Sequence, residues 1–155
     1  MSWTQLSFGR HKGKRLPQVV FQDPDWFFWA YEENVFKGVI KREAEDIYRK
    51  ATSIKIPEEK GKKLVEYMIH PSYNRFADIQ LVDIDRLAHE GSTRTERKKV
   101  IDLSYPRRCV NYDKLGCRIL IKSFKEIIYG TRSFKITKPI AENFFDNASN
   151  FQFES

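Results

Sequence analysis

Residues 8 to 16 read FGRHKGKRL and place Arg10, His11, Lys12, Lys14 and Arg15 around two glycines, Gly9 and Gly13. Glycine tolerates the positive φ of a tight reversal, and two positions without side-chain bulk bring backbone N–H groups to the surface beside the flanking cations. Lysine offers a point charge and arginine a forked set of donors, so the stretch has the chemistry of a phosphate clamp. It lacks the Gly-Lys-Ser/Thr ending and the strand-to-helix setting of a nucleotide-binding P-loop, which argues against ATP. The alternative is a glycine hairpin whose lysines are incidental.

A second concentration of charge lies further along. The chain carries 28 Lys and Arg against 21 Asp and Glu, a net +7. Between Arg94 and Lys138 there are thirteen basic residues and four acidic ones, a local +9. Arg94, Arg97, Lys98, Lys99, Arg107 and Arg108 fall near a strand-like run, and Arg118, Lys122 and Lys125 form a row on the next element. A basic excess confined to one part of a chain is the electrostatic footprint of a polyanion partner, because neutralising phosphates releases condensed counterions. A solvated basic face that keeps the protein soluble is the rival reading.

Carboxylates are the remaining candidates. Glu66, Asp78, Asp83 and Asp85 would suit magnesium in a metal-dependent nuclease, with Asp83 and Asp85 on one face of a strand. Alternating Asp on a strand is more often its solvent face, and no Glu-x-Lys accompanies these acids. Cys109 and Cys117 lack the paired spacing of a zinc site. The expectation is therefore a protein that is not an enzyme, with no catalytic residues, no metal and no cofactor.

The elements that must position these residues follow from pattern and capping. WTQLSF (3–8) alternates like a strand entering the glycine turn. QVVFQ reads as a short helical turn or a strand end. In DPDWFFWAYEENVFKG, Asp23 caps, Pro24 suits the first helical position, Asp25 complements the helix dipole and Gly38 ends the element, which predicts a helix over 24–36. Phe27, Phe28 and Trp29 are expected in its core face, and Trp26 is expected at the surface, where it joins the basic turn as a base-stacking candidate. A charged helix follows over 41–52, and Pro57, Gly61 and the surrounding charges mark 54–62 as a linker or domain boundary.

The second half reads as sheet. Runs at 63–70, 76–86 and 98–105 alternate or are β-branched, with residues 88–97 as one of the connections, and in that order they suggest an antiparallel meander. Residues 115–129 fit helix or strand, and both place basic and apolar rows side by side. A further strand is expected at 133–137, then a helix opening at Pro139. The fold class is α+β: a small hairpin-plus-helices module at 1–53, then a mostly antiparallel sheet with one or two helices at 54–155.

Phe8, Gly9, Arg10, His11, Lys12, Gly13 and Lys14, followed by Asp23, Pro24, Trp26 and Trp29, resemble the small C-terminal domain of exodeoxyribonuclease X and of related bacterial and phage proteins. That domain shows Phe-Gly-Lys-(Tyr/His)-Lys-Gly-Lys, then Asp-Pro and an aromatic-rich helix; Arg10 stands where lysine is common. The resemblance covers about residues 3–50 and implies an accessory, nucleic-acid-associated module with no catalytic residues, of phage or mobile-element origin. Residues 55–155 resemble nothing recognised.

No apolar run approaches the roughly 20 residues that span a bilayer, and residues 1–14 lack the layout of a secretory signal. A cytoplasmic protein with free thiols and no membrane partner is expected. The reading is a DNA- or RNA-binding accessory protein. A protein-interaction module that inhibits or adapts a nucleic-acid enzyme is the alternative, and a metal-dependent nuclease the third.

Overall fold

In the computed structural model, which describes residues 2–87 and 94–153, the chain begins by reversing on itself. Leu6 N–H donates to the Lys14 carbonyl and Gly13 N–H to the Leu6 carbonyl, both at 2.8 Å, and Gln5 bridges Arg15 antiparallel. Gly9 and Gly13 take φ of 74° and 88° inside this reversal, the conformation the sequence demanded of them. The expected strand at 3–8 is reduced to that single bridge.

Three helices follow. α1 spans Leu16–Gln22 with Pro17 in its first turn, and α2 spans Pro24–Glu32 with the Asp23 carboxylate accepting from Trp26 N–H. α2 stops four residues short of its expected end, because Asn34 adopts a left-handed φ of 58° and turns the chain. Gly38 opens the next helix, α3 (Gly38–Ala51), rather than closing α2. Glu43 of α3 accepts from the Thr4 N–H and hydroxyl and ties the first residues down.

The fold is α+β. Strand β1 (Ile54–Lys55) pairs antiparallel with β5 (Val100–Ile101), and Ile54 also bridges Phe151. The segment read as a linker therefore opens with a two-residue strand whose Ile54 is buried. One apolar cluster takes residues from both sides of it, from Trp3 to Phe151. The larger sheet contains β2 (Lys63–His70), β3 (Arg75–Asp83) and β4 (Arg94–Lys98) in the order β3-β2-β4, all antiparallel. This corrects the expected meander: β4 lies beside β2, not β3. It also corrects the third strand, which occupies residues read as connection; 88–93 of that connection lie outside the described residues. The expected run at 98–105 breaks after Lys98, and its end enters the short helix α4 (Tyr105–Cys109).

Val65, Tyr67 and Ile69 point from β2 into the core, as alternation requires. A bulge between Met68 and Ile69 leaves Ala77 extra and pairs Ile69 with Phe76, which brings Phe76 to the same face as Ile79. Residues 114–129 resolve as helix α5 (Lys114–Tyr129), packed on β3. Residues 133–137 form no strand, and α6 (Lys138–Asp146) packs on α1. Between them, Phe21, Phe124, Phe144 and Phe145 close a ring cluster, with Phe21 and Phe124 stacked 5.2 Å apart. Cys109 and Cys117 are free thiols, and burial, with nearby carboxylates, pushes both thiol pKa values up.

Candidate functional site

On α5, Lys114, Arg118, Lys122 and Lys125 recur at helical spacing and form one stripe, while Cys117, Leu120, Ile121 and Phe124 are buried on the adjoining face. Asp113 starts the helix by accepting from Gly116 N–H at 2.9 Å. A Cβ on Gly116 would stand 2.2 Å from Asp113 Oδ2, so the cap requires glycine there. The stripe runs about 16 Å along the helix axis.

The glycine turn meets this stripe across a groove of about 580 Å³. His11 and Lys14 come from the turn, Lys135 and Ile136 from the segment after α5, and Phe21, Pro24, Cys117 and Ile121 contribute apolar lining. Six cationic side chains, Lys14, Lys114, Arg118, Lys122, Lys125 and Lys135, thus face two carboxylates, Asp23 and Asp25.

Both carboxylates are already engaged. Asp23 lies 3.0 Å from His11 Nε2, 3.4 Å from Lys114 Nζ and 3.6 Å from Arg10, so one side chain joins the turn, α2 and α5. Burial alone would raise its pKa. The His11 hydrogen bond, the Lys114 charge and the Trp26 N–H outweigh that and hold it below the usual carboxylate range. Asp25, 2% exposed, accepts from Arg107 Nη1 at 2.9 Å and from Asp113 N–H at 3.1 Å. Among the described residues, no ion pair neutralises Lys14, Arg118, Lys122, Lys125 or Lys135, and the Lys14 ammonium donates only to the Gln22 side-chain oxygen.

Of the residues singled out from sequence, the groove collects His11, Lys14, Arg118, Lys122 and Lys125. Lys12 is exposed on the turn, Arg10 leans on Asp23, and Arg15 reaches Glu142 at 3.4 Å. Trp26 is half-buried, edge-on to both His11 and Phe36, and Trp29, expected in the core, is 44% exposed. The reason is the helical angle: Phe27, Phe28 and Ala30 fill the face that α2 turns to the core, and Trp29 falls outside it.

The other basic set does not gather. Arg94 bonds Asn74, Arg97 bonds Glu66 and the Arg86 and Leu87 carbonyls, and Lys98 and Arg108 converge on the buried Asp102. Arg107, with a side chain only 6% exposed, bridges Asp25 and Glu32. Arg97, Lys98, Arg107 and Arg108 thus give the buried carboxylates Glu66, Asp102 and Asp25 the counter-charge that burial requires. Lys99 remains exposed, beside Lys62 and Lys63 at a separate shallow surface.

The carboxylates considered for magnesium are likewise dispersed. Glu66 accepts from Arg97 and Gln80, Asp78 accepts from Ser123 and forms an ion pair with Arg132 at 3.6 Å, and Asp83 pairs with Lys63. Asp85 lies past the end of β3, so it does not share a strand face with Asp83. Among the described residues no group of three His, Cys, Asp or Glu is placed to hold a metal, and no helix is long and apolar enough to cross a membrane.

Two groove cations were not singled out in advance. Lys114 sits four residues before Arg118 and was legible from helical spacing, whereas Lys135 lies in a loop that no local pattern directs to the groove. No protein-family model matches the chain, and no curated protein or solved structure is found similar to it.

Proposed function

We propose that this chain is a nucleic-acid-binding accessory protein that holds backbone phosphates in the groove between the glycine turn and α5. The observation that supports it is convergence: six cations from the turn, α5 and the segment after it line one groove, and five of them, all but Lys114, have no ion-pair partner among the described residues. Placing uncompensated like charges together opposes folding through self-repulsion, and a polyanion relieves that repulsion. The resemblance of residues 3–50 to the exodeoxyribonuclease X C-terminal module points the same way. A phage or mobile-element origin and a non-enzymatic role belong to this proposal and rest on that resemblance.

Fluorescence anisotropy with single- and double-stranded DNA and with RNA, at two salt concentrations, tests it. Six phosphate contacts would give a slope of log affinity on log salt of about −4 on a single strand, at about 0.7 per contact. Lys122→Glu with Lys125→Glu would flatten the slope by about 1.4. A parent slope near zero, or no binding to any polymer, refutes the reading and turns attention to an acidic protein partner.

A further inference from the structure

The groove is lined by cations and offers no free phenyl ring. The phenyl ring that lines it, Phe21, is buried against Phe124, Phe144 and Phe145 and offers no free face. An exposed aromatic ring stands instead just before the start of α5. Tyr112 is 60% exposed, and among the described residues no other ring packs on it. Its ring centre is 6.0 Å from Lys114 Nζ, and that same lysine lines the groove and lies 3.4 Å from Asp23.

Resting on the phosphate reading of the groove, we infer that Tyr112 is a base-stacking platform and that the ligand is a single strand of DNA or RNA. A strand whose phosphates follow Lys114, Arg118, Lys122 and Lys125 directs an unpaired base at its end onto the Tyr112 ring. Any base presents a π-face, so stacking there is indifferent to sequence. A duplex satisfies the same cations but keeps its bases stacked on one another and leaves the ring unused. The groove then supplies the salt-dependent part of the affinity, and Tyr112 the preference for unpaired strands.

Anisotropy titrations of the full chain against oligothymidine, oligouridine and a DNA duplex of equal length test this, with the parent, Tyr112→Ala and Tyr112→Phe. The parent should favour the single strands. Tyr112→Ala should lose about 5- to 150-fold on them and nothing on the duplex, and Tyr112→Phe should keep parental affinity. The oligothymidine and oligouridine arms tell DNA from RNA as the source of the strand. Equal losses on single strand and duplex, or no loss on a single strand, overturn the platform while leaving the groove intact. A parent that binds neither polymer overturns both.

Discussion

Replacing Arg107 by methionine removes a guanidinium from between α4 and α2 while keeping an unbranched side chain in its space. The sequence marks Arg107 as one of a run of surface cations, but its side chain is 6% exposed and its partner Asp25 is 2% exposed. Arg107→Met leaves the Asp25 carboxylate buried with one donor, the Asp113 N–H at 3.1 Å. Breaking a buried pair by removing one member costs about 3–5 kcal/mol, and the retained N–H places this case at the lower end. The second contact, Arg107 to Glu32 at 2.9 Å, adds little because that carboxylate is half exposed. A loss of about 3 kcal/mol in a chain of this size lowers the Tm by about 6–12 °C. Thermal unfolding followed by circular dichroism reads it. Adding Asp25→Asn should recover part of the loss, since no buried charge then lacks a partner. A Tm within about 2 °C of the parent, together with weakened nucleic-acid binding, would refute the reasoning and return Arg107 to the surface.

The Asp23 carboxylate titrates below its ordinary value in the folded state, so its ionised form stabilises the protein above about pH 4, and that contribution is lost as the pH falls through the folded value. Asp23→Asn should therefore lower the urea midpoint at neutral pH and flatten its decline in acid; parallel curves for parent and variant would contradict this. Trp29→Ala should cost about 1 kcal/mol or less and Phe28→Ala about 3–5 kcal/mol, because only the second empties a filled core site. Chemical denaturation of the two variants side by side checks it, and equal losses would show that α2 presents a different face to the core.

Local chemistry was legible without the fold. The glycine reversal, the Asp23 and Pro24 start of α2, the strand at 63–70, most of the one expected at 76–86, which ends at Asp83, and the joined apolar and basic rows on α5 all depend on neighbours a few residues apart. Covalent geometry sets those distances before any tertiary contact forms. The termini of elements were less legible: α2 ends on the left-handed φ of Asn34, not on Gly38, because either residue type can turn a chain.

What only the tertiary structure decided is which charges cancel. Arg107 and Asp25 are 82 residues apart, Lys114 and Asp23 are 91 apart, and neither pairing leaves a trace in the local sequence. The register of β4 against β2 aligns Arg97 with Glu66 and directs Lys98 toward Asp102, which gives both cations a carboxylate partner within the chain. A run of basic residues specifies only that charge is present. Whether a cation meets a carboxylate or solvent depends on which elements pack together, and burial then forces the pairing, since an unpartnered buried charge costs several kcal/mol. That sorting left Arg118, Lys122, Lys125 and Lys135 at the groove and placed Lys14 opposite them.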